Sequence, residues 1–343
     1  MAVSSGVGNY FVRVAACLAL ISAGLMTAAG GSAAQTPSPA LLVLEKGAEQ
    51  LALVDPGTLK VVGRVPSGGA PHEVIASDDG KFAYISNYAS QQAGQLKTLT
   101  PVDLVAQKAL TPVDLGALRA PHGLAFGDGK VYFTAEANKV IGRYDPASNQ
   151  VDWILGTGQN VTHMIVLSKD LKTIFTSNIG SDTICVIEPG SGRSGWNVTP
   201  IPVGKGPEGF DASPDGKEVW AANSGDGTVS IIDVASKKVA ATIDLKTKRT
   251  NRLKFTPDGK LVLISDDGGG EVIFIDTATR KERKRLKVGQ GPEGTLVQPD
   301  GAKAYVALSG DNAVAVIDLK TLEVTGKITT VNGPDGLAWA QRK

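Results

Sequence analysis

From residue 41 onward, short apolar runs with alternating polarity recur along the chain, at 82–86, 219–222, 229–233, 272–276 and 314–318 among others. Runs this short, rich in Val, Ile, Tyr and Trp, predict half-buried or buried strands rather than helices. Many of them follow an Asp-Gly pair (Asp79-Gly80, Asp128-Gly129, Asp215-Gly216, Asp258-Gly259, Asp300-Gly301). Glycine supplies the positive φ that a tight hairpin needs there. After Gln35 no segment has the length and 3.6-residue period of an amphipathic helix.

The strands belong to a repeat. The unit is clearest at 206–233, which opens Gly-Pro-Glu-Gly, and the same four residues return at 291–294. Aligned on the residue after that proline, the anchors are His72, His122, His163, Glu208, Asn251, Glu293 and Asp335, with successive gaps of 50, 41, 45, 43, 42 and 42. Each unit holds a strand, an Asp-Gly turn, a second strand, a polar loop, a third strand and a fourth such as 238–244. Four strands in about 42 residues make one propeller blade. The mature N-terminus offers three strands at 41–44, 51–54 and 61–65, and one strand's length remains after Asp335. That last strand is expected to complete the first blade as its innermost member, giving an all-β, seven-bladed ring with no open edge. The unit from His72 to Ala120 departs from the pattern, since its gap is the longest and it carries extra residues at 89–94. Longer outer strands or a raised loop are expected there.

These units resemble the YVTN-type, YncE-like seven-bladed propellers of exported bacterial proteins, over about residues 41–340 and most closely at 204–244 and 289–336. The resemblance implies the propeller fold and an exported protein. It leaves function open, because that family and its relatives include binding proteins, metal-dependent lactonases and lyases, and metalloenzymes.

Composition sharpens the outline. The chain has 343 residues, with 35 Lys+Arg against 34 Asp+Glu, so charge gives no reason to expect a nucleic acid or an anionic membrane as partner. In residues 1–34 Arg13 is the one charge, 14–29 are apolar, and small residues at Ser32 and Ala34 suit a signal peptidase. The expectation is a signal peptide cut near Ala34/Gln35, a short linker at 35–40 and a propeller domain at 41–343. The product would be a periplasmic or secreted monomer with no membrane anchor. Val14-Ala15-Ala16-Cys17 mimics a lipoprotein box but follows Arg13 with no apolar region before it. Cleavage leaves 309 residues, about 44 per blade, and a single thiol, Cys185, in an apolar strand pattern that reads as a buried small hydrophobe.

All three histidines of the chain are anchors of consecutive units. Anchors end the loops that enter the innermost strands, so they are expected to ring one mouth of the central channel. His72, His122 and His163, with Glu208 next in line and Glu293 and Asp335 closing the ring, form a donor set suited to a divalent transition metal such as Zn, Cu, Fe or Mn. A second ring is expected from Glu45, Asn87, Glu136, Asn178, Asn223 and Asp266, the last five lying 14 or 15 residues after their anchors. These can orient imidazoles or, as Glu136 or Glu208, act as general base on a metal-bound water. Arg249, Asn251 and Arg252 interrupt the repeat and suggest an anionic ligand beside the metal. The alternatives are that Arg252 pairs with a ring carboxylate and that the histidines hydrogen-bond loop backbone. The leading reading is a binding protein for a metal or small ligand. A metal-dependent enzyme of lactonase or lyase type, and a protein-interaction scaffold using the opposite face, are the other two. Phosphate-binding loops, nucleophile elbows and paired-cysteine metal motifs are absent from the sequence.

Overall fold

The computed structural model describes residues 35–90 and 94–343, so the expected signal peptide at 1–34 lies outside the described residues. The described chain forms seven antiparallel sheets arranged as propeller blades. Blade 1 pairs Pro334–Ala340 with Ala40–Glu45, followed outward by Gln50–Asp55 and Lys60–Pro66, so the C-terminal strand is its innermost member. Blades 2 to 7 begin with the inner strands Pro71–Ala76, Pro121–Gly127, Thr162–Leu167, Pro207–Ala212, Thr250–Phe255 and Pro292–Val297. The middle strands are almost wholly buried because each packs on both faces against neighbouring blades; Trp220, Phe133, Phe175, Phe274 and Tyr305 are the largest side chains in these seams. Cys185, a small side chain in a middle strand of blade 4, is fully buried, and burial pushes its thiol up. The outermost strands are the exposed ones, and Lys281–Lys287 carries its charges on that edge.

Blade 2 differs from the expectation in detail. Its second and third strands lengthen, to Phe82–Ser90 and Gly94–Asp103, while its outer strand shrinks to two fragments, Lys108–Ala109 and Val113–Asp114. Pro101 in the third strand explains the break. Leu110 donates to the Pro101 carbonyl (2.8 Å). A residue's N–H and C=O share one side of a strand, so the missing Pro101 N–H also faces the outer strand.

Every inner strand starts with a β-bulge. In blade 2 the pairing steps from Pro71↔Asn87 to Val74↔Ile85, leaving His72 and Glu73 opposite a single residue, and the other blades repeat the shift. The bulge points anchor side chains into the channel and brings the anchor backbones of adjacent blades together. That approach explains the glycine after the anchor in blades 1, 3, 5 and 7: a Cβ on Gly294 would lie 2.0 Å from the Asp335 carbonyl, and one on Gly209 2.3 Å from that of Asn251. Gly294→Ala is expected to destabilise the protein by about 1–3 kcal/mol or more through forced backbone displacement. Urea denaturation measures this, and an unchanged midpoint would show that the seam has slack.

Candidate metal centre

The three histidines meet. His122 is fully buried, and its ring lies tilted against the other two: centroids are 3.7 Å from His163 (interplanar angle 31°) and 4.2 Å from His72 (46°). Tyr88 stands edge-on to both His72 and His122, at 5.3 and 5.0 Å. The backbone beneath is clamped by hydroxyls. Ser86, Thr134 and Ser177 each accept the N–H of the residue after their own blade's anchor and donate to the anchor carbonyl of the next blade, namely His122 (2.7 Å), His163 (2.7 Å) and Glu208 (2.9 Å).

Glu136 completes the cluster. Its Oε1 lies 2.5 Å from His163 Nδ1, and its Oε2 accepts the Tyr88 hydroxyl at 2.5 Å. A carboxylate on one imidazole nitrogen fixes the tautomer that puts the proton there and leaves the other nitrogen free as a ligand. His163 Nε2 is that free nitrogen, buried and without a hydrogen-bond partner among the described residues, as are both ring nitrogens of His122. Two groups have ligand atoms mutually within 4.8 Å: His122, Glu136 and His163, and His72, Glu73 and His122, with His122 common to both.

On the far side of the mouth, carboxylates and cations pair with one another. Arg252 Nη2 contacts Glu73 across the channel, linking blades 6 and 2, and its Nη1 is 3.7 Å from Glu208. Asn251 Nδ2 donates to Glu208 (3.4 Å), Ser309 to Glu293 (3.0 Å), and Lys46 to Asp335 (3.3 Å) while lying 2.8 Å from His72 Nε2. Glu208, Glu293 and Asp335 belong to neither group of mutually close ligand atoms, although Asp335 Oδ2 lies 3.4 Å from His72 Nδ1. Glu73 and Glu136 take the carboxylate positions instead.

The electrostatics suit a cation. Five carboxyls (Glu73, Glu136, Glu208, Glu293 and Asp335) face two permanent cations, Lys46 and Arg252. Burial, with Asp335 adding repulsion, pushes Glu293 up to about 7, and burial also raises Glu73 against the opposing pull of Arg252. Burial lowers His72 to about 3 and holds His122 well below its ordinary value, so both imidazoles are neutral and ready to ligate without losing a proton. Burial opposes ionisation of Asp335, yet its cationic neighbours hold it below the ordinary carboxylate value.

Two expectations change here. An anionic ligand on Arg249, Asn251 and Arg252 does not fit: Arg249 is exposed and bound to Asp267 (3.0 Å), and Arg252 and Asn251 are engaged by carboxylates. The expected second ring also dissolves. Asn87 binds the Ser67 carbonyl (2.9 Å), Asn178 that of Thr183 (3.2 Å) and Asn223 the Thr228 hydroxyl (2.9 Å). Asp266 accepts the Lys248 and Arg249 N–H groups (3.1 and 2.9 Å), and Glu45 accepts Arg64 (2.8 Å) and the Val331 N–H (3.0 Å). These five staple loops.

Glu136 escapes that role because it occupies a different register. Pro71, Thr162, Pro207 and Thr250 pair with Asn87, Asn178, Asn223 and Asp266, whereas Pro121 pairs with Ala135. Glu136 is thus the equivalent of Tyr88 and Lys46, one residue beyond the stapling position, where side chains reach the channel. Tyr88, Lys46 and Glu73 are the site residues that the repeat alignment passed over.

The choice-of-anchor I domain family matches residues 191–331. No curated protein matches the chain significantly. Among solved structures, Kuenenia stuttgartiensis hydrazine synthase is similar at 22% identity and a TM-score of 0.67, over 78% of this chain and 89% of that one. A candidate 6-phosphogluconolactonase from Bacteroides uniformis gives 16% and 0.71, over 89% of this chain and 100% of that one. A Desulfotomaculum acetoxidans protein of unknown function gives 11% and 0.73 with the same coverage. At these identities the likeness extends to the seven-bladed fold alone, a fold that hosts unrelated chemistries.

Proposed function

We propose that this chain is an exported propeller of the YVTN type that binds a divalent transition metal ion, one of Zn, Cu, Fe or Mn, at the histidine mouth of its channel, and through it a small ligand. The observation that carries this reading is the set of bare imidazole nitrogens. Three of them, on His122 and His163, are buried with no partner among the described residues. Each unpaired buried polar atom costs about 1–3 kcal/mol, and a metal ion is a partner that bare imidazole nitrogens beside carboxyl groups are suited to hold. His122 and His163 are the main ligands, and Glu136 is a positioning residue that holds His163 through Nδ1. His72 joins through the group it shares with His122.

The enzyme reading has less support. Both oxygens of Glu136 are occupied by His163 and Tyr88, and Glu208 sits with Asn251 and Arg252, so neither expected base is placed for proton abstraction.

Glu136→Gln tests the site. The amide can still accept from His163 and meet Tyr88, but it loses the charge. Zinc affinity is expected to fall about 10–100-fold with the circular dichroism spectrum unchanged. Unaltered affinity would sink the assignment. Export is tested by the intact mass of the protein recovered from the periplasm or medium: a chain beginning near Gln35 supports it, and one retaining residues 1–34 refutes it.

A further inference from the structure

A cavity lies away from the histidines, where the strand-joining turns of blades 2 and 3 meet. It has a volume of about 690 Å³, with Phe82, Tyr84, Phe126 and Tyr144 as walls and Asp78 and Asp79 at the rim. Tyr84 stacks on Phe126 (centroids 6.0 Å apart) and meets Tyr144 edge-on (6.3 Å). The break in the outer strand of blade 2 leaves Leu110 at its edge, 38% exposed.

The repeat supplies its own control. The corresponding cleft between blades 5 and 6 is about half that size, 340 Å³. Strand register makes Glu218 the equivalent of Phe82, Phe255 of Phe126 and Arg280 of Asn149. In that copy the Arg280 guanidinium reaches across to Glu218 at 2.7 Å and ties the two blades together. Between blades 2 and 3 both members of the pair are gone: Phe82 adds an aromatic wall, and Asn149 turns back to accept the Tyr144 hydroxyl at 2.9 Å. The space that one copy bridges with a protein cation is left open in the other, with aromatic faces and carboxylates around it.

We infer that the cleft between blades 2 and 3 is a binding site for a small organic cation, a guanidinium, amidinium or alkylammonium group on a flat or apolar body. Aromatic faces attract such a cation through their quadrupoles. Asp78 gives the head group an exposed carboxylate, while Asp79 is already engaged by Ser77 (2.7 Å) and Lys81 (3.7 Å). A neutral aromatic molecule could use the walls but gains nothing from the rim.

Titration calorimetry with benzamidine and its neutral counterpart benzamide tests this. Benzamidine is expected to bind, with benzamide at least about tenfold weaker. The double variant Phe82→Glu/Asn149→Arg copies the closed cleft and should abolish binding. The single variant Asp78→Asn, at an exposed position that leaves the turn intact, should weaken benzamidine roughly two- to fivefold. The inference is overturned if benzamidine does not bind at millimolar concentration, if benzamide binds equally well, or if binding survives in both variants with the fold intact by circular dichroism.

Discussion

Replacing His122 by alanine lowers zinc affinity by more than about 100-fold, beyond the loss expected from removing a positioning carboxylate. His122 belongs to both groups of ligand atoms, whereas His163 and His72 belong to one each. The expected order of loss is therefore His122→Ala, then His163→Ala, then His72→Ala. His72 comes last because its Nε2 already lies 2.8 Å from Lys46 Nζ. Without metal, His122→Ala breaks no hydrogen bond among the described residues, since neither ring nitrogen makes one. Its cost to the metal-free protein is packing alone, about 2–4 kcal/mol for a fully buried side chain cut to a methyl. Two readouts separate the effects: competition with a chromophoric chelator gives affinity, and melting with and without zinc gives linkage. At a hundredfold excess over its Kd, zinc stabilises the parent protein by about 2.7 kcal/mol, and His122→Ala should remove that increment. An order with His72 first would move the centre toward Glu73 and away from Glu136.

Arg252→Met destabilises the fold by about 3–5 kcal/mol, the usual result of stripping one partner from a buried ion pair. Arg252 is 5% exposed, touches Glu73 from the opposite side of the ring, and lies 3.7 Å from Glu208. Removing the guanidinium leaves the buried Glu73 and the partly buried Glu208 without their shared cation. Glu73→Leu combined with Arg252→Met should recover part of the loss, because an apolar pair carries no desolvation penalty. Urea denaturation of the two variants reads this directly. If Arg252→Met alone leaves stability unchanged, the link between blades 2 and 6 contributes nothing.

Much of this was legible in the chain. Asp-Gly turns and apolar runs predicted the blades, and the single strand left after Asp335 predicted the closing pair of Ala40–Glu45 with Pro334–Ala340. The coincidence of three histidines at one repeat position marked the mouth. Side-chain direction was not legible, because it depends on register and a shift of one residue reverses it. Glu136 shows how. Its spacing of 14 from His122, against 15 from anchor to stapling residue in blades 2, 4, 5 and 6, was the one visible sign that it belonged elsewhere. The hairpin of blade 3 is two residues shorter, so Ala135 takes the stapling place and Glu136 moves into the channel. Long-range pairs such as Arg252 with Glu73, 179 residues apart, leave no local trace at all. Composition likewise concealed the field of the mouth: a chain of nearly balanced charge gathers five carboxyls against two permanent cations at one end of its channel.

Anomalous diffraction at the zinc edge, from crystals of the protein soaked or grown with zinc, tests the metal centre most directly. A single strong peak at the channel mouth, about 2.0–2.1 Å from a ring nitrogen of His122 and from His163 Nε2, is the predicted result. A peak on other residues, or none at saturating zinc, would contradict it.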